Sequence, residues 1–170
     1  MTAPTTDSTA PSPDNNLNRP IYSGRDDVGI DSKWRLTIPA KHRSNLIKDK
    51  KVYVAGDPQQ SSLMIFSANE YEAFMRPLLD LSAAVDPVTG FWKEWFTTNA
   101  EEQVPDDNGR LVLPHSLRDH AALRADSKAV FVGMGYRCQL WDLEKYEAHR
   151  AEVVQRMRNS PVPNLGAFKL

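Results

Sequence analysis

Cysteine is nearly missing from this 170-residue chain, and its one copy, Cys138, excludes an internal disulfide framework and fits a reducing compartment. No apolar run approaches the roughly 20 residues of a membrane span. The start has neither the basic residues nor the apolar stretch of a secretory signal, so a cytoplasmic protein is expected. Neither sign of charge dominates: 21 Lys and Arg stand against 22 Asp and Glu, which gives no global attraction to nucleic acid. Glycine is scarce, and Gly133-Met134-Gly135 lacks the third glycine and the helix start of a phosphate-cradling loop. The sets an enzyme needs are missing too. His115 and His120 are five apart and do not share a helix face, and no thiol or carboxylate completes a zinc spacing. His42 and His149 stand isolated and read as surface residues, and Cys138 reads as buried and inert. Catalysis, metal and cofactor are therefore not expected.

What the chain does have is a repetition. Asp31-Ser32-Lys33-Trp34-Arg35-Leu36-Thr37-Ile38-Pro39 returns 75 positions later as Asp106-Asp107-Asn108-Gly109-Arg110-Leu111-Val112-Leu113-Pro114. A second arginine, Arg43 or Arg118, follows each proline by four residues. Lys51-Val52-Tyr53-Val54-Ala55-Gly56 matches Lys128-Ala129-Val130-Phe131-Val132-Gly133, and Glu70-Tyr71-Glu72-Ala73 matches Lys145-Tyr146-Glu147-Ala148. Two copies of one supersecondary unit are implied, each unable to bury its apolar face alone.

Each copy reads as strand, turn, strand, short helix, two strands, longer helix. Alternation predicts strands on both sides of each turn. Pro39 and Pro114 suit helix starts, giving helices over Ala40–Leu46 and His115–Leu123. Ser67-Ala68-Asn69-Glu70 is a capping-box pattern for a helix ending before Pro77, and Asp142 is an N-cap for a helix from Leu143 to about Arg158. The expected divisions are a disordered extension over 1–20, a first repeat over 21–79, a helical linker over 80–103, a second repeat over 104–158 and a flexible tail over 159–170. The linker's Phe91, Trp92, Trp95 and Phe96 recur at helical spacing, as core or as a subunit interface.

Asn108-Gly109 is a strong type I′ hairpin signal and predicts Arg110 at an exposed, rigid tip. A planar guanidinium held there can bond guanine O6 and N7 or a phosphate. Pairing with Asp106 or Asp107 is the competing reading. Between Asp31 and Lys51 seven Lys or Arg stand against two Asp, a local basic patch with the footprint of a phosphate partner. Asp106 to Arg118 carries two of each sign.

These paired motifs, with Tyr22-Ser23-Gly24 before the first and Gln139-Leu140-Trp141-Asp142 late in the second, resemble the MraZ family over about Ile21 to Glu152. MraZ proteins are bacterial transcriptional regulators with two tandem SpoVT–AbrB-like domains. The resemblance implies an α+β, β-rich fold: a swapped-hairpin AbrB-like β-barrel formed by two tandem repeats, with short helices and a longer helix after each repeat. It also implies a homo-oligomeric ring that binds direct repeats of double-stranded DNA upstream of its own operon, the division and cell-wall cluster. The family's DNA-contacting positions match Lys33, Arg35 and Arg110. Arg43 and Arg118 match by position, with a structural role equally open, and Lys41 belongs to the same basic stretch. One departure is Trp34, where the pattern has glycine. A tryptophan is costly at positive φ, so the first hairpin is expected to turn differently and re-aim Arg35. Trp34 itself has two readings, packing on its barrel or a neighbouring subunit, or stacking on DNA.

The expectation is thus a sequence-specific, nucleoid-associated regulator, as a repressor. The alternative is an oligomeric scaffold that binds protein partners without DNA.

Overall fold

Strand pairing curls this chain into a nearly closed barrel. The computed structural model describes residues 19–81 and 87–160. In chain order it contains β1 (Arg25–Ile30), β2 (Arg35–Thr37), α1 (Ala40–Leu46), β3 (Val52–Gly56), β4 (Ser62–Ser67), α2 (Ala68–Asp80), α3 (Pro87–Thr98), β5 (Ala100–Gln103), β6 (Arg110–Val112), α4 (His115–Arg118), β7 (Ser127–Gly133), β8 (Cys138–Asp142) and α5 (Leu143–Asn159). The strands form one antiparallel sheet in the order β5-β3-β4-β8-β7-β1-β2-β6.

That order interleaves the two copies. β1 pairs along its whole length with β7 of the second copy, and its counterpart β5 pairs with β3 of the first. In the β2–β6 ladder Leu36 faces Leu111, its own repeat mate, and in the β4–β8 ladder Met64 faces Gln139, again its mate. A pseudo-two-fold axis therefore passes through both pairs, and the barrel is a swapped-hairpin fold within one chain. One seam differs between the halves. Ile30 pairs with Leu36 on the β1–β2 side, whereas the equivalent position on the β5–β6 side is Pro105, which has no N–H to extend the ladder.

The inward residues Leu36, Ile38, Leu111, Leu113, Phe131 and Leu140 fill the barrel and are fully or nearly fully buried. Outside, β3 and β4 are roofed by α2 and α3 through Met64, Phe66, Met75 and Phe96. The matching roof over β7 and β8 is thinner. Val130, Val132 and Trp141 meet Leu143 and Tyr146 at the start of α5, Trp141 also stacks on His149, and no residue of α5 is buried.

Several local expectations change. Residues 100–103, assigned to the helical linker, form β5: Ala-Glu-Glu-Gln has poor β-propensity, but the free edge of β3 supplies partners from Val52 to Ala55. α2 runs through Pro77, because Leu78 beyond it packs with Phe66 and Met75. α4 stops at Arg118 instead of Leu123, and Ala122 then turns the chain at φ 52°. Arg19, counted with the disordered extension, pairs with the buried Glu70 and lies 3.8 Å over the Tyr136 ring, so it ties both copies together. The rest of that extension (1–18) and the tail from 161 lie outside the described residues.

Candidate nucleic-acid interface

Each copy of the duplicated motif folds around one aspartate. Asp31 Oδ1 accepts from the N–H groups of Lys33 and Arg35, both at 2.9 Å, and Asp106 Oδ1 accepts from Asn108 at 3.0 Å and Arg110 at 2.9 Å. The backbone closes the same way twice, Trp34 N to Asp31 O at 2.9 Å and Gly109 N to Asp106 O at 2.8 Å. Trp34 (φ 59°) and Gly109 (φ 72°) then take the left-handed conformation, while Asn108 does not. Both hairpins are thus type I turns followed by one left-handed residue, not type I′ turns. Trp34 does not re-aim its loop. Its cost at positive φ is offset by packing, since the indole lies against the barrel core with the Arg118 guanidinium 4.4 Å from the ring centroid.

The arginines sit at the base of these loops, not at a tip. Arg35 Nε is 2.8 Å and Nη2 2.7 Å from Asp31 Oδ2, and Arg110 Nε is 2.6 Å from Asp106 Oδ2. Both aspartates are held below the usual carboxylate range, Asp31 chiefly by the Arg35 guanidinium and then its backbone N–H, Asp106 chiefly by the Arg110 backbone N–H and then the guanidinium. The pairing uses one edge of the guanidinium and fixes its plane, leaving the remaining N–H groups for another partner.

The ladder brings the two arginines together. Arg35 faces Val112 and Thr37 faces Arg110, while Leu36 and Leu111 between them point into the core. The four outward residues form a rectangle with the arginines on one diagonal, roughly 7–8 Å apart by sheet geometry. A loop caps each end, where Leu113 N donates to Trp34 O at 2.8 Å and Ile38 N to Gly109 O at 2.9 Å. A two-stranded ribbon of this width fits a DNA major groove.

The family comparison agrees with the two-copy fold. A family model described as "MraZ protein, putative antitoxin-like" matches residues 21–89 and again 96–162, one copy on each repeat. The chain belongs to the MraZ family. Similar relatives include proteins named transcriptional regulator MraZ from Alkalilimnicola ehrlichii, 30% identical over 88% of this chain and 100% of that protein, and from Shewanella amazonensis, 33% identical over 75% and 84%. Another, from Hydrogenovibrio crunogenus, is 29% identical over 79% of this chain and 88% of its own.

The remaining candidates divide by position. Lys33 is exposed on the first loop without an ion-pair partner among the described residues, as are Lys48 and Lys50 after α1. Lys41 pairs with Asp26 at 2.8 Å and Lys51 with Glu102 at 2.8 Å, so the basic stretch is partly neutralised in the fold. Arg43 and Arg118 lie behind the ribbon. Arg43 Nε donates to Ile38 O at 2.6 Å and packs on Gly109 of the opposite repeat; Arg118 donates to Leu113 O at 2.9 Å and stacks on Trp34. Both cross the pseudo-two-fold and lock each loop to the helix of the other copy.

His42, read as a surface residue, is buried between the Tyr22 and Phe131 rings. Burial, then nearby Lys41, pushes its pKa below the usual imidazole value. Burial likewise pushes the Cys138 thiol up to about 12. Among the described residues no group of His, Cys, Asp or Glu is arranged to hold a metal, and no helix is long and apolar enough to cross a membrane. Thr37 and Val112 escaped the sequence reading as site neighbours. Their signal was the strict alternation that turns them outward with the arginines.

Proposed function

We propose that this chain is a cytoplasmic, nucleoid-associated, sequence-specific DNA-binding regulator that lays the β2–β6 ribbon into the major groove. The observation that carries the reading is the placement of Arg35 and Arg110 on one outer face, each oriented by its own aspartate. Nη groups left over from the Asp31 and Asp106 pairs donate to guanine O6 and N7 or to phosphates, and Lys33 adds an unpaired cation at the first loop. Arg43, Arg118 and Lys41 act from behind, through loop placement and local charge. The relatives' shared name, transcriptional regulator, supports the same function.

One ribbon with few unpaired cations binds weakly, so several must act together. The chain forms a homo-oligomeric ring that presents successive ribbons to direct repeats upstream of its own operon, the division and cell-wall cluster, and represses it. Self-assembly is favoured by an asymmetry of the fold. α3 covers α2 in the first copy, whereas α5, the counterpart of α2, exposes Val153, Val154 and Met157, and no described residue stands in the α3 position. A second copy supplies the missing apolar surface from Leu79, Val88 and Phe91, exposed at the α2–α3 end. Two different patches make a head-to-tail contact, which closes into a ring.

Gel shifts with DNA from upstream of its own gene test the reading. Arg35→Ala and Arg110→Ala are each expected to lose specific retardation while folding and assembly persist, and the salt slope should fall by about one unit per lost contact. Wild-type retention in both variants would refute it. Assembly without any specific DNA retention would favour the scaffold reading.

A further inference from the structure

We propose that Val112 is a base-reading residue that contacts the C5-methyl group of a thymine, and that with Thr37 it gives each barrel a direction on DNA. This rests on the major-groove reading above and adds what lies between the two arginines.

The β2–β6 ladder leaves four side chains on its outer face. Two are the arginines; the other two are Thr37, opposite Arg110, and Val112, opposite Arg35. Val112 is 46% exposed, an aliphatic residue that faces Arg35 across the ladder and follows Arg110 by two positions on its own strand. Nothing in the barrel requires an apolar residue there, because Leu111 and Leu113 on either side supply the inward contacts and are fully buried. Its repeat mate is Thr37, of nearly the same shape but carrying a hydroxyl. One corner of the rectangle can therefore only make apolar contact, and the other can donate and accept a hydrogen bond.

In the major groove these chemistries are separable. The thymine methyl is the apolar feature of the base edges, and a threonine hydroxyl can bond to several. Arginines roughly 7–8 Å apart span about two base-pair steps at 3.4 Å each, so the residues beside them lie over the intervening pairs. Two identical halves would read a palindrome. Val112 against Thr37, Lys33 against Asn108 and Ser32 against Asp107 each break that equivalence. One barrel then prefers one orientation, and oligomerised barrels read sites that all point the same way.

The experiment is selection of the full-length protein on a random-sequence duplex library. The wild type should enrich a non-palindromic site with thymine at a fixed place beside a guanine. Remaking that duplex with deoxyuridine at the thymine removes one methyl and should weaken binding about fourfold, the factor for burying one methyl-sized group. Val112→Asn puts a polar amide in place of the two methyls, and it should bind the thymine and deoxyuridine duplexes equally while melting like wild type. Equal binding of the two duplexes by wild type overturns the proposal, as does discrimination retained in Val112→Asn. If no duplex is enriched at all, the DNA-reading function itself falls, and this inference with it.

Discussion

The contact most specific to the interleaved fold is Arg43 of the first repeat on Gly109 of the second, and Gly109→Ala tests it. The new Cβ would lie 2.7 Å from Arg43 Nε and 2.8 Å from its Cδ. Arg43 must then move and give up its 2.6 Å bond to Ile38 O. A charged hydrogen bond of this kind contributes about 1.5–3 kcal/mol. The left-handed backbone at φ 72° adds about 1–2 kcal/mol for a residue with a Cβ, less about 0.4–1 kcal/mol because alanine restricts the unfolded chain. The single variant should lose about 2–4 kcal/mol. In an Arg43→Ala background nothing is left to displace, so the same change should cost only about 0.5–1.5 kcal/mol. Urea unfolding of the four proteins at one protomer concentration, followed by tryptophan fluorescence, gives the cycle. Costs that add within about 0.5 kcal/mol would refute the crossing contact.

Trp34→Gly relieves the left-handed strain but forfeits roughly half of an aromatic residue's ~200 Å² of burial and the contact with Arg118, so a net loss of about 1–2 kcal/mol is expected in the same assay. A more stable variant would mean that the indole is not held by the barrel. His42 has a lowered pKa in the fold, so the unfolded chain binds more protons below its ordinary value near 6.5. Stability should therefore fall as pH drops from about 6.5 towards 5, a window above that of Asp31 and Asp106. His42→Leu, which copies its repeat mate Leu117, should flatten that slope, although Asp26 and Lys41 beside it remain. An unchanged slope would place its origin elsewhere. Met157→Glu puts a charge on the open face of α5 and should reduce the mass measured by light scattering to that of smaller species, leaving the melting curve of the barrel intact. An unaltered mass would exclude that face from assembly.

Where local chemistry decides, the chain was readable from its residues. Pro39 and the pattern after it gave Ala40–Leu46 to the residue, and Asp142 caps α5 by accepting from Glu144 and Lys145. The repeat offset gave the pairing of motifs, though not how the copies interleave. What escaped was decided across the barrel. β5 is a strand because β3 needs an edge partner, not because Ala-Glu-Glu-Gln prefers one. Asn-Gly signalled a type I′ turn, but Asp106 bonds to two backbone N–H groups and draws the loop into a type I turn with Gly109 left-handed. His42 looked solvated when read alone, yet its mate Leu117 was an available sign of an inward position. Asp106 or Asp107 reads as a partner that would occupy Arg110, and in the fold Asp106 orients it, as Asp31 orients Arg35.

Interleaving also sets the order in which the barrel can form. Arg25 of β1 pairs with Val132, and β4, already paired with β3, has its other edge covered by β8, which ends at Asp142. A chain emerging from the ribosome has made all of its first copy long before either strand exists. β1 then has only its single rung with β2, and the core faces of β3 and β4 stay open. Closure over so long a loop is slow, and the waiting half exposes strand edges to neighbouring chains. A nascent chain halted after α3 should be protease-sensitive and aggregation-prone, and protection should arrive in one late step.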